Sequence, residues 1–559
     1  MQQHLERFSF WRMIWIVGMC WFFVTQSASA KMSTLEFQDA AAEVMINALE
    51  TQPKKSFLRQ LYTRLLFVPV WVDASGMSPY AKELFAQIKG DATLDKHGKL
   101  YRDALALEAE AQTVGESLTD KLTLEFKISQ LYKGYADYSI YGSINWGAFL
   151  ARLWNIKTKD IHADWVTHKP KIDPIMVLED TVLNGSFTKA FDKAIPTRYR
   201  YRELQQALAH YIQLQEQGGW QSVHFKGALK PGKHYAVIPA IRERLRITDD
   251  YRPCSEEHNS SSTLYDECLK EAVVRFQARN GLSASGVIGK ETKRVMNISV
   301  ADRILTLRLN LDRIKWLRDP PPGKHVWINI PAFMLYFEED GKLLQQIKVI
   351  VGKPDHPTPI FSDTVEAIVL NPYWNIPKSI IQKEMIPKLL RNPYALKRKG
   401  IEIFTGWGAD ATPIDPASVN WAQYRYSNSV PFRFAQLPGR RNALGKIKFL
   451  FPNEFSVYMH DTPNKKLFKR NVRAFSHGCV RLSQPRELLK TFSTFEPNVD
   501  FEKSQKILKS KKKTYINLPQ KIPVDITYLT AWIDHNGKLQ FRNDIYHYDK
   551  MQLQAYRKW

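Results

Sequence analysis

The chain has 559 residues, which is too long for one ordinary domain and predicts roughly two to four domains. Its hydrophobic content of 44% and its 15 Trp exclude a disordered chain. The net charge of +24 indicates an anionic partner, and we predict an envelope polymer or a membrane surface rather than nucleic acid, because the sequence shows no zinc-finger spacing, RNA-recognition signature or basic heptad region.

The N-terminus has the pattern of a secretory signal peptide. Arg7 and Arg12 supply positive charge, residues 13–24 are apolar, and residues 28–30 (ASA) have the small side chains of a cleavage site. We therefore predict that residues 1–30 are a signal peptide and that the protein is exported. The alternative is an uncleaved anchor, although a dozen apolar residues are short for a bilayer that needs about 20.

Residues 31–228 are predicted to form a helical domain. Apolar residues recur there at helical spacing, beginning with residues 40–50. Three histidines of this region lack metal-ligand spacing and are predicted to be structural, namely His162, His168 and His210. The region contains no combination of nucleophile and base, and we predict no metal or cofactor for the chain.

The cysteines divide into a pair and a single thiol. Cys20 would leave with the signal peptide, while Cys254 and Cys268 are near enough in sequence to form a local disulfide worth at most about 3 kcal/mol. The alternative is that Cys268 is only buried on its helix face. In an oxidising compartment, the remaining Cys479 is then a candidate reactive thiol.

A small domain is predicted at residues 229–300. Its motifs are FQARNGL at residues 276–282 and GVIGKET at residues 286–292, with glycines at the turns between helices. These motifs resemble the three-helix peptidoglycan-binding module, although Ser285 stands where that module commonly has Asp. The resemblance implies glycan binding, and a purely structural helical linker is the alternative.

A change of pattern marks the next domain. Leucines at helical spacing and three prolines predict a connecting helix and linker at residues 301–324. Short strands with Gly and Pro between them follow, which predicts a mainly-β sandwich or barrel-like sheet at residues 325–540. The strand rhythm lapses at residues 380–438, where aromatic residues argue against disorder. Residues 541–559 are a C-terminal segment.

The chemistry is concentrated around Cys479. A thiol near pH 7 is mostly protonated, so it needs an imidazole within reach and backbone N–H groups for the developing oxyanion. His460, at the end of a strand predicted at residues 456–460, is the expected general base. His477 is the rival, but side chains two residues apart on an extended segment point alike and not at each other.

The segment SHGCVRL at residues 476–482, preceded by HDTP at residues 460–463, resembles the signature of the LD-transpeptidases, cysteine enzymes that cross-link bacterial peptidoglycan. The resemblance implies a multidomain α+β protein in the periplasm of a Gram-negative bacterium. It would combine a helical scaffold, a peptidoglycan-binding module and a mainly-β catalytic domain, in which residues 380–438 cap the active site.

The same resemblance implies the reaction. Cys479 would attack the carbonyl that joins the third residue of a stem tetrapeptide to its terminal D-Ala, release D-Ala and form a thioester. An amine of another stem would then attack the thioester and complete a 3→3 cross-link. The N–H groups of Gly478 and Cys479 and the hydroxyl of Tyr458 are the candidate oxyanion donors. The thioester chemistry also implies that a carbapenem acylates Cys479.

Substrate binding is predicted for Ser476, Trp374 and Arg481. Arg481 suits a substrate carboxylate, which arginine binds in bidentate fashion, but it could also pair with a structural Asp such as Asp461.

Two other functions stay open, a cysteine hydrolase (an LD-carboxypeptidase) with the same site and a non-catalytic wall-binding protein. The expected partners are peptidoglycan stem peptides and glycan, with a DD-carboxypeptidase as supplier of tetrapeptides. The oligomeric state is not predicted.

Overall fold

The computed structural model of the protein describes residues 33–157, 163–254, 261–408, 410–427 and 429–557. The predicted signal peptide, with Cys20, and also His162 lie outside the described residues. In the part of the chain that is described, no helix has the length and apolar character needed to cross a membrane.

The first compact unit is helical. Its described part comprises residues 33–90, Lys99–Tyr135 and Ile175–Ala190. Ser33 begins the first helix with a capping box, because its hydroxyl accepts the Glu36 N–H while the Glu36 carboxylate accepts the Ser33 N–H. A short hairpin, β1 (Val72–Asp73) and β2 (Gly76–Met77), interrupts the helices. The helices in or entering this unit are Thr34–Glu50, Phe57–Arg64, Pro79–Gly90, Lys99–Gln112, Leu118–Tyr141, Pro174–Asn184 and Phe187–Ala194.

The start of this hairpin is held by one buried carboxylate. Glu125 accepts hydrogen bonds from the backbone N–H groups of Val70, Trp71 and Val72 at 2.8–3.0 Å and from the Tyr62 hydroxyl at 2.5 Å. These four hydrogen bonds therefore offset the free-energy cost of burying the Glu125 carboxylate.

The second compact unit contains the remaining helices and the large sheet. Within it, helices Ile238–Ile247, Glu267–Arg279 and Lys290–Met296 pack around a shared core with Phe276 and Ile288 at its centre. A disulfide joins Cys254 to Cys268, with a Cα–Cα distance of 6.0 Å. The other helices of this unit are Trp146–Lys157, Tyr201–Glu216, Val300–Lys315, Pro485–Phe492, Phe501–Ser510 and Tyr548–Leu553.

The large sheet has nine strands in the order β12-β5-β13-β11-β10-β6-β14-β3-β4, and β4 also pairs with β5. The sheet therefore closes on itself, which confirms the predicted mainly-β, barrel-like fold. Asp340 and Gly341, both with positive φ, form the tight turn between β4 and β5. The strands are β3 (Lys324–Asn329), β4 (Met334–Glu339), β5 (Lys342–Gly352), β6 (Phe361–Leu370), β7 (Trp374–Asn375), β8 (Ile401–Phe404), β9 (Arg433–Gln436), β10 (Ile447–Leu450), β11 (Met459–His460), β12 (Ala474–Ser476), β13 (Val480–Leu482), β14 (Thr514–Thr527), β15 (Ala531–Ile533) and β16 (Leu539–Phe541).

The segment between β6 and β10 has a core of its own. Strands β7, β9 and β8 form a three-stranded sheet. A helical stretch runs through Lys378–Ile380, a π-helical turn Ile381–Met385 and Ile386–Arg391. Trp421 and Phe434 lie in the apolar cluster between these elements. We call residues 374–436 the insertion.

One local prediction is wrong. The strand expected over residues 456–460 contains only Met459 and His460, and Ser456 has a positive φ of 55°. Near the C-terminus, β14 and β15 belong to different sheets, and β15 pairs with β16.

Candidate active site

Five polar side chains lie on one face of the sheet near the end of β11. Lys448 of β10 pairs with His460 of β11, and His460 pairs with Arg481 of β13. Paired residues, and residues two positions apart along an extended segment, point to the same face. Tyr458 therefore shares the face with His460, and Cys479 shares it with Arg481. Pairing across three strands explains how residues from positions 448–481 come together.

A network of buried hydroxyl groups fixes the turn that carries Cys479. Gly478 has a φ of +110°, a conformation that favours glycine. The Ser476 hydroxyl donates to the Cys479 carbonyl at 2.6 Å and accepts the Gly478 N–H at 3.2 Å, and the Thr358 hydroxyl donates to the Gly478 carbonyl at 2.7 Å. Ser476 is thus part of the hydrogen-bonded turn. Its hydroxyl also occupies the Gly478 N–H, which is one of the two backbone donors predicted for the oxyanion.

The sulfur of Cys479 is half-buried and lies against Tyr458. Among the described residues it is the one free cysteine. Burial raises the pKa of the Cys479 thiol, while hydrogen bonds from Tyr458 and the cations of Lys448 and Arg481 oppose that rise. The thiol is therefore the resting form at neutral pH, and its surroundings favour negative charge once the proton leaves.

His460 is buried and held by backbone. Its Nδ1 donates to the Asp461 carbonyl at 2.5 Å, so Nε2 carries the lone pair that a general base needs. Burial foremost, and then the Arg481 cation, lower the pKa of His460 to about 3. The imidazole is therefore neutral at physiological pH and able to accept a proton.

His477 lies at the exposed rim of the site. Its ring centroid is 4.8 Å from that of His356, and its Nε2 is 3.6 Å from a carboxylate oxygen of Glu384 in the insertion. Burial foremost lowers the pKa of His477, and the neighbouring His356 adds to the effect. His477 therefore has a contact with the insertion, and the choice of His460 as the base stays a prediction.

Arg481 has a hydrogen-bond donor without a partner. Its Nε is buried and has no hydrogen-bond partner among the described residues. The alternative partner expected for it, Asp461, instead binds the Lys465 ammonium at 2.6 Å and the Lys446 N–H at 2.9 Å. Asp461 therefore has other partners, and the role of Arg481 stays a prediction.

A cavity of about 610 Å³ opens onto these residues. The insertion contributes Trp374, Ile380 and Glu384 to its wall, so the structure brings Trp374 to the site predicted for it. Within the described residues, no group of three His, Cys, Asp or Glu side chains could hold a metal. The other predicted residues that line the cavity are Tyr458, His460, Ser476, His477, Gly478, Cys479 and Arg481.

Lys448 is a member of the site that sequence analysis missed. Its Nζ lies 3.6 Å from the centroid of the Tyr458 ring. The available signal was a lysine between two buried strand residues, Ile447 and Phe449, but alternation alone cannot tell a solvent-facing lysine from one that faces a site.

Three parts of the chain match known protein families. Residues 323–499 match the L,D-transpeptidase catalytic domain. The chain carries an L,D-transpeptidase catalytic domain. Residues 56–208 match the scaffold domain and residues 240–296 match a "Putative peptidoglycan binding domain", which confirms the predicted three-part fold class. The exact domain boundaries stay a prediction.

A curated protein is similar to part of the chain. A curated Haemophilus influenzae protein described as "Putative L,D-transpeptidase" is 34% identical over 253 residues, which cover 45% of this chain and 50% of that protein. The chain thus matches about half the length of this curated relative.

The chain is also similar to two solved structures, an L,D-transpeptidase from Mycobacterium smegmatis and the catalytic domain of the E. faecium L,D-transpeptidase. The first is 13% identical over 36% of this chain and 58% of its own, with a TM-score of 0.18. The second is 14% identical over 37% of this chain and 98% of its own, with a TM-score of 0.16.

Proposed function

We propose that this protein cross-links peptidoglycan stem peptides through a thioester on Cys479. The observation that carries the proposal is the free thiol of Cys479 on the same face as the neutral imidazole of His460, at the wall of a 610 Å³ cavity in an L,D-transpeptidase catalytic domain. A neutral acceptor and a polarised thiol are the two components that nucleophilic acyl transfer requires.

In the acylation step, His460 Nε2 takes the proton of the Cys479 thiol as sulfur attacks the carbonyl before the terminal D-Ala. The Cys479 N–H and the Tyr458 hydroxyl stabilise the oxyanion. When the intermediate collapses, the C–N bond breaks, the proton returns from His460 to the leaving amine, and the thioester remains.

In the second step, the side-chain amine of another stem's third residue attacks the thioester. His460 takes the proton of that amine, the C–S bond breaks, and a 3→3 cross-link forms while the thiol is restored. The open Nε of Arg481 favours a substrate carboxylate near the thioester, because guanidinium groups bind carboxylates with paired donors.

The insertion is proposed to act as a cap, since Trp374, Ile380 and Glu384 line the cavity and Glu384 contacts His477. A cap that limits water would favour an amine as acceptor. The protein would act outside the cytoplasm, in the periplasm, where peptidoglycan lies, with tetrapeptides supplied by a carboxypeptidase that removes the fifth residue.

The test is muropeptide analysis by mass spectrometry with the native protein and Cys479→Ala. We expect a cross-linked dimer with loss of D-Ala, resistant to DD-endopeptidase and missing with Cys479→Ala. Monomeric tripeptide alone would show a hydrolase, and no cysteine-dependent product would overturn the proposal.

A further inference from the structure

Lys448 is a half-buried cation whose surroundings are unusual for lysine. Its Nζ lies 3.6 Å from the Tyr458 ring centroid, a close cation–π contact. Within the described part of the chain it has no carboxylate partner. Burial lowers the pKa of Lys448 to about 8, and the charge of Lys513 adds to this effect. Removing an ammonium from water without a carboxylate costs free energy, so another source of negative charge is expected.

The sheet register shows where that negative charge forms. Lys448 pairs with His460, and the face they share also carries Tyr458, Cys479 and Arg481. Of these side chains, Cys479 is the one that becomes negative during the proposed reaction. Its charge would favour the protonated form of both Lys448 and Arg481, and their charges would favour the ionised sulfur.

His460 does not supply a permanent positive charge in this site. In many cysteine enzymes the thiolate is stabilised by an adjacent imidazolium. Here burial and the two cations keep the His460 ring neutral, and its pKa is about 3. The other histidine, His477, lies at the rim beside Glu384. Fixed cations must therefore perform the task that an imidazolium performs elsewhere.

We propose that Lys448 is a positioning residue for acylation: over the ring of Tyr458 it holds the hydroxyl at the sulfur and, with Arg481, stabilises the negative charge left when the S–H proton moves to His460. This inference rests on the proposed function. In that step the S–H bond breaks, Nε2 of His460 gains the proton, and the electron pair stays on sulfur until it forms the bond to the substrate carbonyl.

The test is the pH profile of Cys479 alkylation by iodoacetamide, which reports the ionised thiol and needs no peptidoglycan. In the full chain with its disulfide intact, Cys479→Ala gives the background. We expect Lys448→Met to move the midpoint upward by about one pH unit and to slow alkylation at pH 7 roughly tenfold. Lys448→Arg, which keeps a cation, should stay near the native profile.

Lys446→Met is the matched control. Lys446 lies two residues away, but its ammonium donates to the Leu508 carbonyl and not toward the sulfur. This variant loses the same formal charge and should leave the alkylation profile unchanged. Near-ultraviolet circular dichroism checks that each variant is folded, and Lys448→Gln replaces the Met variant if that one does not fold.

An unshifted profile in folded Lys448→Met or Lys448→Gln would overturn the inference, and so would an equal shift in Lys446→Met. These outcomes are separate from failure of the proposed function. A shifted profile in a protein that makes no cross-links would retain the role of Lys448 in thiol ionisation and reject the transpeptidase reaction.

Discussion

The imidazole of His460 is fixed by a backbone carbonyl, whereas the imidazole of His477 lies at the rim beside a carboxylate. We therefore expect His460→Asn to lower the rate of cross-linking about 10²–10⁴-fold, the contribution typical of a general base. His477→Asn should lower it less than about tenfold, because only the contact with the insertion is lost. Initial rates of dimer formation measure both effects, and equal losses would contradict the assignment of His460.

The pH dependence follows from the same residues. The reactive pair is a neutral thiol with a neutral imidazole, which exists above the His460 pKa of about 3 and below the raised pKa of Cys479. The rate of Cys479 acylation by a carbapenem, followed as added mass on the intact protein, should therefore be nearly constant from about pH 5 to 8. A break near pH 6.5 would show that a histidine with an ordinary pKa is the base.

Sequence reasoning singled out candidate reactive residues but not their register. His460, Cys479 and Arg481 were found from local motifs, because the predicted nucleophile, base and glycine lie in short segments. Lys448 and Thr358 were missed, because their contacts depend on pairing between strands and on a hydrogen bond across 120 residues. The roles of all the predicted site residues stay predictions.

At the scale of elements, one buried hydroxyl connects the end of β5 to the turn that carries Cys479. Thr358 accepts the Gly352 N–H at 2.8 Å and donates to the Gly478 carbonyl at 2.7 Å. Valine has the same shape but cannot form either bond. We expect Thr358→Val to lower the free energy of unfolding by about 1–3 kcal/mol for each group left unpaired and to slow acylation.

Urea unfolding and carbapenem acylation measure these two effects. Thr412→Val, at an exposed position of the insertion, is the control and should change stability by less than about 0.5 kcal/mol. Native stability and acylation in Thr358→Val would show that the turn does not depend on this hydroxyl.

The sequence predicted the type of each element better than the residues at which it begins and ends. Helical periodicity identified the scaffold helices, and short strands with Gly and Pro between them identified the mainly-β region. The start of β11 depends on backbone conformation near Ser456. That conformation leaves no clear periodic signal, so the strand was predicted too long.

At the scale of the whole molecule, the three-helix module packs on the C-terminal hairpin of the second unit. The Arg542 guanidinium donates to the Arg279 carbonyl at 2.9 Å, and the Arg294 guanidinium donates to the Asn543 side-chain oxygen at 3.0 Å. Gly281 has a positive φ of 67°, which favours glycine, and it lies against the Arg542 side chain. The module is therefore held to the C-terminal hairpin by specific contacts.

The disulfide should stabilise this module without affecting the reactive thiol. Replacing both Cys254 and Cys268 with Ser opens a link across 14 residues and should lower module stability by up to about 3 kcal/mol. Hydrogen exchange in helix Glu267–Arg279 measures the effect, and alkylation of Cys479 should stay at its native rate. Unchanged exchange would show that the apolar core alone holds the module.

The order of strands in the closed sheet also determines when the proposed activity could begin. β14 lies between β3 and β6, and the Tyr546 hydroxyl donates to the Gly352 carbonyl. Both β14 and Tyr546 follow Cys479 in the chain. A polypeptide that emerges from its N-terminus therefore presents the thiol before the barrel that organises it can close. Under the proposed function, cross-linking would begin only after complete emergence, and a partly delivered chain would leave the wall around it unchanged.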